Sequence, residues 1–135
     1  MRDIMFRGKR TDNGEWVYGD LVRDNIGGSY VFPNDAPGLY REYKVNPETV
    51  GEYTGLNDKK GNKVFEGDII ALNPRRFANK RVFYYTRCSG FHLTESMDEP
   101  KPCDINPIFS DDCGKYEVIG NIHDNPELLK GGNNA

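Results

Sequence analysis

Apolar residues along this chain fall into short runs, most of them alternating with polar positions, and turn-forming residues bound nearly every run. That period-two spacing predicts strands rather than helices. Ile4 to Lys9 reads as a strand, Thr11-Asp12-Asn13-Gly14 as its turn and Glu15 to Val22 as the return strand of a hairpin, with Asn13-Gly14 the strongest hairpin signal in the chain. Trp16, Tyr18 and Asp20 share one face of that return strand; Val17 and Leu21 depart from their alternation, which a bulge at Gly19 would reconcile. Gly27-Gly28 turns the chain into a third strand, Ser29 to Phe32.

Residues 33–47 hold Pro33, Pro37, Gly38 and Pro47 and read as a loop in which only Tyr40 to Val45 is extended. Glu48 to Tyr53 leads into the densest stretch of the sequence. There Asn57 to Asn62 is a polar turn, Lys63-Val64-Phe65 re-enters the core, Glu66-Gly67-Asp68 turns again, and Ile69 to Leu72 is the most continuous buried-strand signal. Arg81 to Thr86 is a strand that pairs with Gly90 to Thr94 across Arg87-Cys88-Ser89, residues 96–112 read as a proline-bearing acidic insertion, and Tyr116 to Ile122 is the last strand. Asn125-Pro126-Glu127 opens a short helical turn in which Asn125 or Asp124 serves as the cap and Pro126 takes the first helical position; residues 131–135 should fray.

The segment from Tyr53 to Leu72 also carries a resemblance. Tyr53-Thr54-Gly55-Leu56, then Asp58-Lys59 with Gly61, then Phe65-Glu66-Gly67-Asp68-Ile69-Ile70 resembles the central motif of the YopX family of bacteriophage and prophage proteins. Ile4 to Lys9 is similar to that family's opening strand, and Tyr116 to Leu129 to its closing motif. Residues 23–46 and 73–115 carry no family pattern. The resemblance implies a small, mostly β, phage-encoded protein, and it brings no assigned activity and no catalytic residue.

Composition narrows the picture. A chain of 135 residues is the length of one domain, read here as a single YopX-like domain over residues 1–135. Eight Tyr and seven Phe against three Met make the core aromatic and β-branched, and fifteen Gly with eight Pro leave no room for long helices. The expected fold class is all-β: a small strongly bent sheet or SH3-like barrel with long loops and a short C-terminal helical turn. The net charge of −3 excludes a protein whose whole surface is basic and binds polyanions without selection. No apolar run approaches the ~20 residues of a membrane span, and Met1 to Met5 contains no apolar signal core, so a cytoplasmic location in the bacterial host is expected.

Several constellations suggest chemistry. Cys88 and His92, followed by Cys103 and Cys113, supply four zinc-ligand types, but there is no Cys-x2-Cys knuckle, and three scattered cysteines fit isolated thiols better than a metal site or a disulfide framework. Glu66 and Asp68 offer paired carboxylates for acid–base or magnesium chemistry, and His123 beside Asp124 a general base; in each case turn or cap chemistry accounts for the residue types without a substrate. An enzyme reading, a small metal-dependent hydrolase or nuclease, would require Glu66, Asp68, His92 or His123 to converge. No cofactor is expected, since the glycine-rich phosphate loops are absent.

The basic cluster stands apart. Arg75, Arg76, Lys80, Arg81 and Arg87 alternate with Phe77, Phe83, Tyr84 and Tyr85 over a stretch without an acidic residue. Guanidinium groups for phosphates beside aromatic faces for bases are what single-strand binders use on small β-folds. The competing account is a strand with core-facing rings and ordinary surface arginines, paired with Asp98, Glu99, Asp111 and Asp112. Three functions follow as expectations: a non-enzymatic binding protein acting on a host protein or nucleic acid through Arg75, Arg76, Lys80, Arg81, Tyr84, Tyr85 and Arg87; the metal-dependent hydrolase; and a homo-oligomeric assembly subunit formed through open sheet edges.

Overall fold

The computed structural model describes residues 3–33, 42–72, 79–95, 97, 105–107 and 116–129. Eleven strands and short 3-10 turns account for its regular structure, so the all-β class expected from the alternation is the one observed. By internal contacts the chain forms two compact units, Met1–Tyr53 and Thr54–Ala135.

The first unit is built on β1 (Phe6–Lys9), β2 (Trp16–Arg23), β3 (Ser29–Pro33) and β4 (Tyr43–Val45), paired antiparallel in that order. The β1–β2 turn follows from its residues. Gly14 N donates to Arg10 O at 3.0 Å, Arg10 N to Glu15 O at 2.8 Å, and the Asn13 side chain accepts from Glu15 N at 2.9 Å. The β2–β3 turn hangs on Asp24, whose Oδ1 accepts from the amides of Ile26 (3.1 Å) and Gly28 (2.6 Å). The Gly28 amide is the main reason this carboxyl sits below its ordinary pKa. Beyond β3 the sheet bends until β4 meets the chain just past β1: Asn46 N donates to Lys9 O at 2.9 Å, and Thr11 N to Lys44 O at 3.0 Å. Val31 and Val45 are fully buried. The start of β5 (Gly51–Asn57) runs beside β1, pairing Gly51 with Arg7 and Glu52 with Phe6.

In the second unit β5 continues beside β6 (Lys63–Phe65). A five-stranded antiparallel sheet follows, in the order β10 (Ile105–Pro107), β9 (Gly90–Thr94), β8 (Lys80–Tyr85), β7 (Asp68–Leu72), β11 (Tyr116–Asn121). Its core joins Val64, Ile70, Val82, Leu93 and Tyr116, with Phe91 and Val118 against them. Burying aliphatic side chains of this size stabilises by about 1.5–3 kcal/mol each. Gly67, at φ 92°, lets the β6–β7 turn face two partners at once, donating to Val82 O at 2.8 Å and accepting from Ile122 N at 2.9 Å.

Two expectations are corrected here. Gly19 is not a bulge: β1–β2 and β2–β3 pair without a slip, with Val17, Gly19 and Leu21 on one face and Tyr18, Asp20 and Val22 on the other. Glycine is required at 19 for a different reason, since a Cβ there would lie 2.0 Å from Phe32 O. The bulge is in β11, where Val118 pairs with Ile70 and Gly120 with Ile69, leaving Ile119 as the extra residue. Asn125 stands at the cap position of the 3-10 turn Pro126–Leu128 but makes no side-chain cap bond; its Oδ1 instead accepts from Asn121 N at 3.3 Å. The region read as a long insertion contributes β10, an edge strand along β9, where a proline is tolerated because one side of the strand has no partner to donate to. The loop at 34–41 and the tail at 131–135 lie outside the described residues.

Candidate nucleic-acid interface

The β8–β9 hairpin positions the residues that the sequence singles out. Its register pairs Arg81 with Thr94, Val82 with Leu93, Phe83 with His92, Tyr84 with Phe91 and Tyr85 with Gly90. Because side chains alternate along a strand, burying Val82 and Leu93 in the core sends Arg81, Phe83, Tyr85 and His92 to the opposite face. On that face the rings touch one another: Phe83–Tyr85 centroids lie 5.8 Å apart, Phe83–His92 6.5 Å, and Tyr85–His92 5.6 Å in an edge-to-face arrangement. The Arg81 guanidinium lies 5.2 Å from the Phe83 centroid. His92 Nδ1 is 3.1 Å from Gly90 O, a contact that fixes the ring's orientation. All four side chains are half-buried.

Alternation therefore divides the basic cluster. Arg81 and Tyr85 share the ring face with Phe83 and His92. Lys80 and Tyr84 lie on the other face, Lys80 with its Nζ 3.8 Å from Glu95 Oε1 and Tyr84 in an edge-to-face contact with Phe91 at 5.4 Å. Arg87 is exposed in the 3-10 turn Thr86–Cys88 at the hairpin's end. Arg75, Arg76 and Phe77 lie outside the described residues, as do Asp98, Glu99, Asp111 and Asp112. Phe83 and His92 were not among the expected binding residues; counting every second position from Arg81 gives Phe83 and Tyr85, and the pairing of the two strands then places His92 opposite Phe83.

The alternative chemistries find less support in the geometry. Asp68 is buried, and its Oδ2 accepts from Phe65 N at 2.7 Å, closing the β6–β7 turn. Asn121 Oδ1 accepts from the amides of His123 (3.0 Å) and Asp124 (2.9 Å), so the His123 segment is a backbone turn held by an asparagine. Among the described residues no three His, Cys, Asp or Glu side chains gather to hold a metal ion. Cys103, Cys113 and the Cys88 side chain fall outside them. In the first unit an open cleft of about 470 Å³ is lined by Lys9, Arg10, Thr11, Gly14, Asn46, Pro47 and Thr49. Its arginine is engaged elsewhere, bonded to Asp12 at 2.6 and 2.9 Å and lying over Tyr43 at 4.2 Å. No helix among the described residues is long and apolar enough to cross a membrane.

Fold and site together define an all-β protein that carries rings and cations on one hairpin. The family model described as YopX protein matches residues 5–130, and the chain belongs to the YopX family. A solved structure, "Crystal structure of protein EF1440 from Enterococcus faecalis", is similar in fold at a TM-score of 0.57 and 23% identity, with 96% of this chain and 100% of that chain covered. No curated protein matches the sequence.

Proposed function

We propose that this protein is a phage- or prophage-encoded binding protein that acts without catalysis in the bacterial cytoplasm and takes single-stranded nucleic acid on the Arg81 face of the β8–β9 hairpin. The observation that carries this reading is the single face shared by Arg81, Phe83, Tyr85 and His92, with three ring–ring contacts and a guanidinium aligned on the first ring. Tilted rings on a sheet surface stack unpaired bases whatever their sequence, and a cation beside them meets the backbone phosphate. The charge pattern agrees with a polyanion: residues 79–94 contain no Asp or Glu, in a chain whose net charge is −3. Duplex DNA, with its bases stacked inside, gains nothing from such rings.

The test is a fluorescence-anisotropy titration of labelled single- and double-stranded DNA and RNA at two salt concentrations. Wild-type protein binds the single strands, with a log–log salt slope of about −2, as expected for a few phosphate contacts. Arg81→Ala lowers the slope by about 0.7. Phe83→Ala with Tyr85→Ala weakens binding by tenfold or more, in line with stacking worth about 1–3 kcal/mol per base. Folded wild type that binds no single strand at low salt overturns the reading and moves the search to host proteins.

A further inference from the structure

The hairpin carries rings on both of its faces, and an exposed cation sits where the two faces meet. Tyr84 stands between Phe83 and Tyr85 in sequence, so its ring projects from the opposite side of the same strand. It remains 43% exposed, while its cross-strand neighbour Phe91 packs against the core. The edge-to-face contact with Phe91, 5.4 Å between centroids and 79° between planes, holds the Tyr84 ring in one orientation. Between the faces the chain turns through Thr86–Cys88, closed by Ser89 N donating to Thr86 O at 3.3 Å and by Ser89 in the left-handed conformation at φ 50°. The turn has no side-chain cap, and Arg87 stands exposed on it.

We infer that a bound single strand passes around the end of this hairpin, with a phosphate at Arg87 on the turn and a further base stacked on Tyr84 at the opposite face. This rests on the single-strand reading of the Arg81 face and extends it from a one-sided platform to a two-sided one. The partner is chosen by chemistry: no acid occurs from Asn79 to Thr94, so neither strand of the hairpin nor its turn places a carboxylate of its own along that path. The inference makes affinity depend on strand length, since a short oligonucleotide occupies the Phe83–Tyr85–His92 face alone and a longer one reaches Tyr84.

The experiment is an anisotropy series of labelled oligo(dT) and oligo(U) from about 4 to about 16 nucleotides, the span of small-fold single-strand sites. Tyr84→Leu, which keeps an apolar contact for Phe91, and Arg87→Gln are compared with wild type, and thermal melts confirm that each is folded. The expected result is a wild-type affinity that rises with length, with both variants matching wild type on the shortest strand and about tenfold weaker on the longest. Equal weakening at every length, or no weakening at any, overturns the two-sided path even where short strands bind and Phe83→Ala with Tyr85→Ala abolishes that binding. A wild type that binds no oligonucleotide overturns the single-strand reading and this inference with it.

Discussion

Two turns of the second unit have similar sizes and opposite uses of their side chains. The turn between β5 and β6 is organised by Asp58. This buried carboxylate accepts from Lys60 N at 3.0 Å, Asn62 N at 2.8 Å and Asn62 Nδ2 at 3.3 Å, and reaches across to Val118 N at 2.9 Å. The same turn sends Lys59 N to Tyr116 O at 3.1 Å, so it covers the outer edge of β11 as well as closing on itself. Among the described residues the turn between β8 and β9 is closed by a backbone bond from Ser89 N to Thr86 O and has no side-chain cap. In the first, the residue types follow from what the backbone needs. In the second, the bond that closes the turn uses neither the rings nor the arginines, so the turn itself leaves those residue types unconstrained, and the proposed single-strand contact would give them a use.

The largest effect expected from this contrast is at Asp58. Asp58→Ala leaves buried amides without an acceptor and costs about 3 kcal/mol in urea denaturation, while the folded fraction binds single strands as wild type does. Unchanged stability would end the structural account of this turn. The carboxyl also gives a signature in pH. Burial alone would raise its pKa, but the amides of Val118, Asn62 and Lys60 and the Asn62 side chain outweigh burial and hold it below the ordinary value. A depressed folded value means that the contribution is fully present above the unfolded pKa of about 4 and is lost as pH falls through the lower folded value. Asp58→Asn therefore flattens the acid limb of the stability profile below pH ~4, and a limb identical to wild type would assign the acid sensitivity elsewhere.

Next in size is the converse change in the β8–β9 hairpin. Phe83→Ala with Tyr85→Ala removes about 1–3 kcal/mol of binding per base. Its stability cost is smaller than that of Asp58→Ala, because both side chains lie outside the cluster formed by Val64, Ile70, Val82, Leu93 and Tyr116. Glu117 offers a control that should move neither quantity much. It meets Lys60 at 2.7 Å and Lys59 at 3.9 Å, and the hydrogen bond to Glu117 raises the Lys60 pKa. Lys60 is exposed, so Lys60→Ala should change the urea midpoint little.

The same contrast explains what the sequence made legible. Both turns, the Asn13-Gly14 hairpin and the pairing of Arg81–Thr86 with Gly90–Thr94 depend on residues a few positions apart, where local chemistry decides. The motif blocks that pointed to the YopX family lie in β1, in β5 to β7 with the turns between them, and from β11 to Leu129, and none lies in the β8–β9 hairpin. The reach of Asp58 to Val118 spans sixty positions, and the addition of β10 to β9 depends on an edge that exists only once the sheet has formed. Likewise, the basic cluster reads as one patch until the burial of Val82 assigns Lys80, Arg81, Phe83, Tyr84 and Tyr85 to faces. Ile119 could not be recognised as a bulge from its neighbours, because a bulge is a property of two strands together.

The smallest difference concerns two asparagines, Asn125, which the sequence reads as a cap, and Asn121, to which it assigns no role. Asn125 precedes Pro126 as a helix cap would, yet its side chain makes one long bond, 3.3 Å from Asn121 N, and none to the turn that follows. Asn121, at the end of β11, accepts from two successive amides, His123 N at 3.0 Å and Asp124 N at 2.9 Å, and its Nδ2 donates to Asp124 Oδ2 at 3.2 Å. A side chain that satisfies two backbone donors stabilises by about 1 kcal/mol, and a single stretched bond by a few tenths. Asn121→Ala should therefore lower the urea midpoint two- to threefold more than Asn125→Ala. A true cap would give the reverse order, because losing it costs about 1 kcal/mol. Asn125 also limits its neighbour: a Cβ at Gly120 would come within 2.6 Å of Asn125 Oδ1. Gly120→Ala should accordingly be tolerated better in the Asn125→Ala background than in wild type, a coupling read directly from a double-mutant cycle.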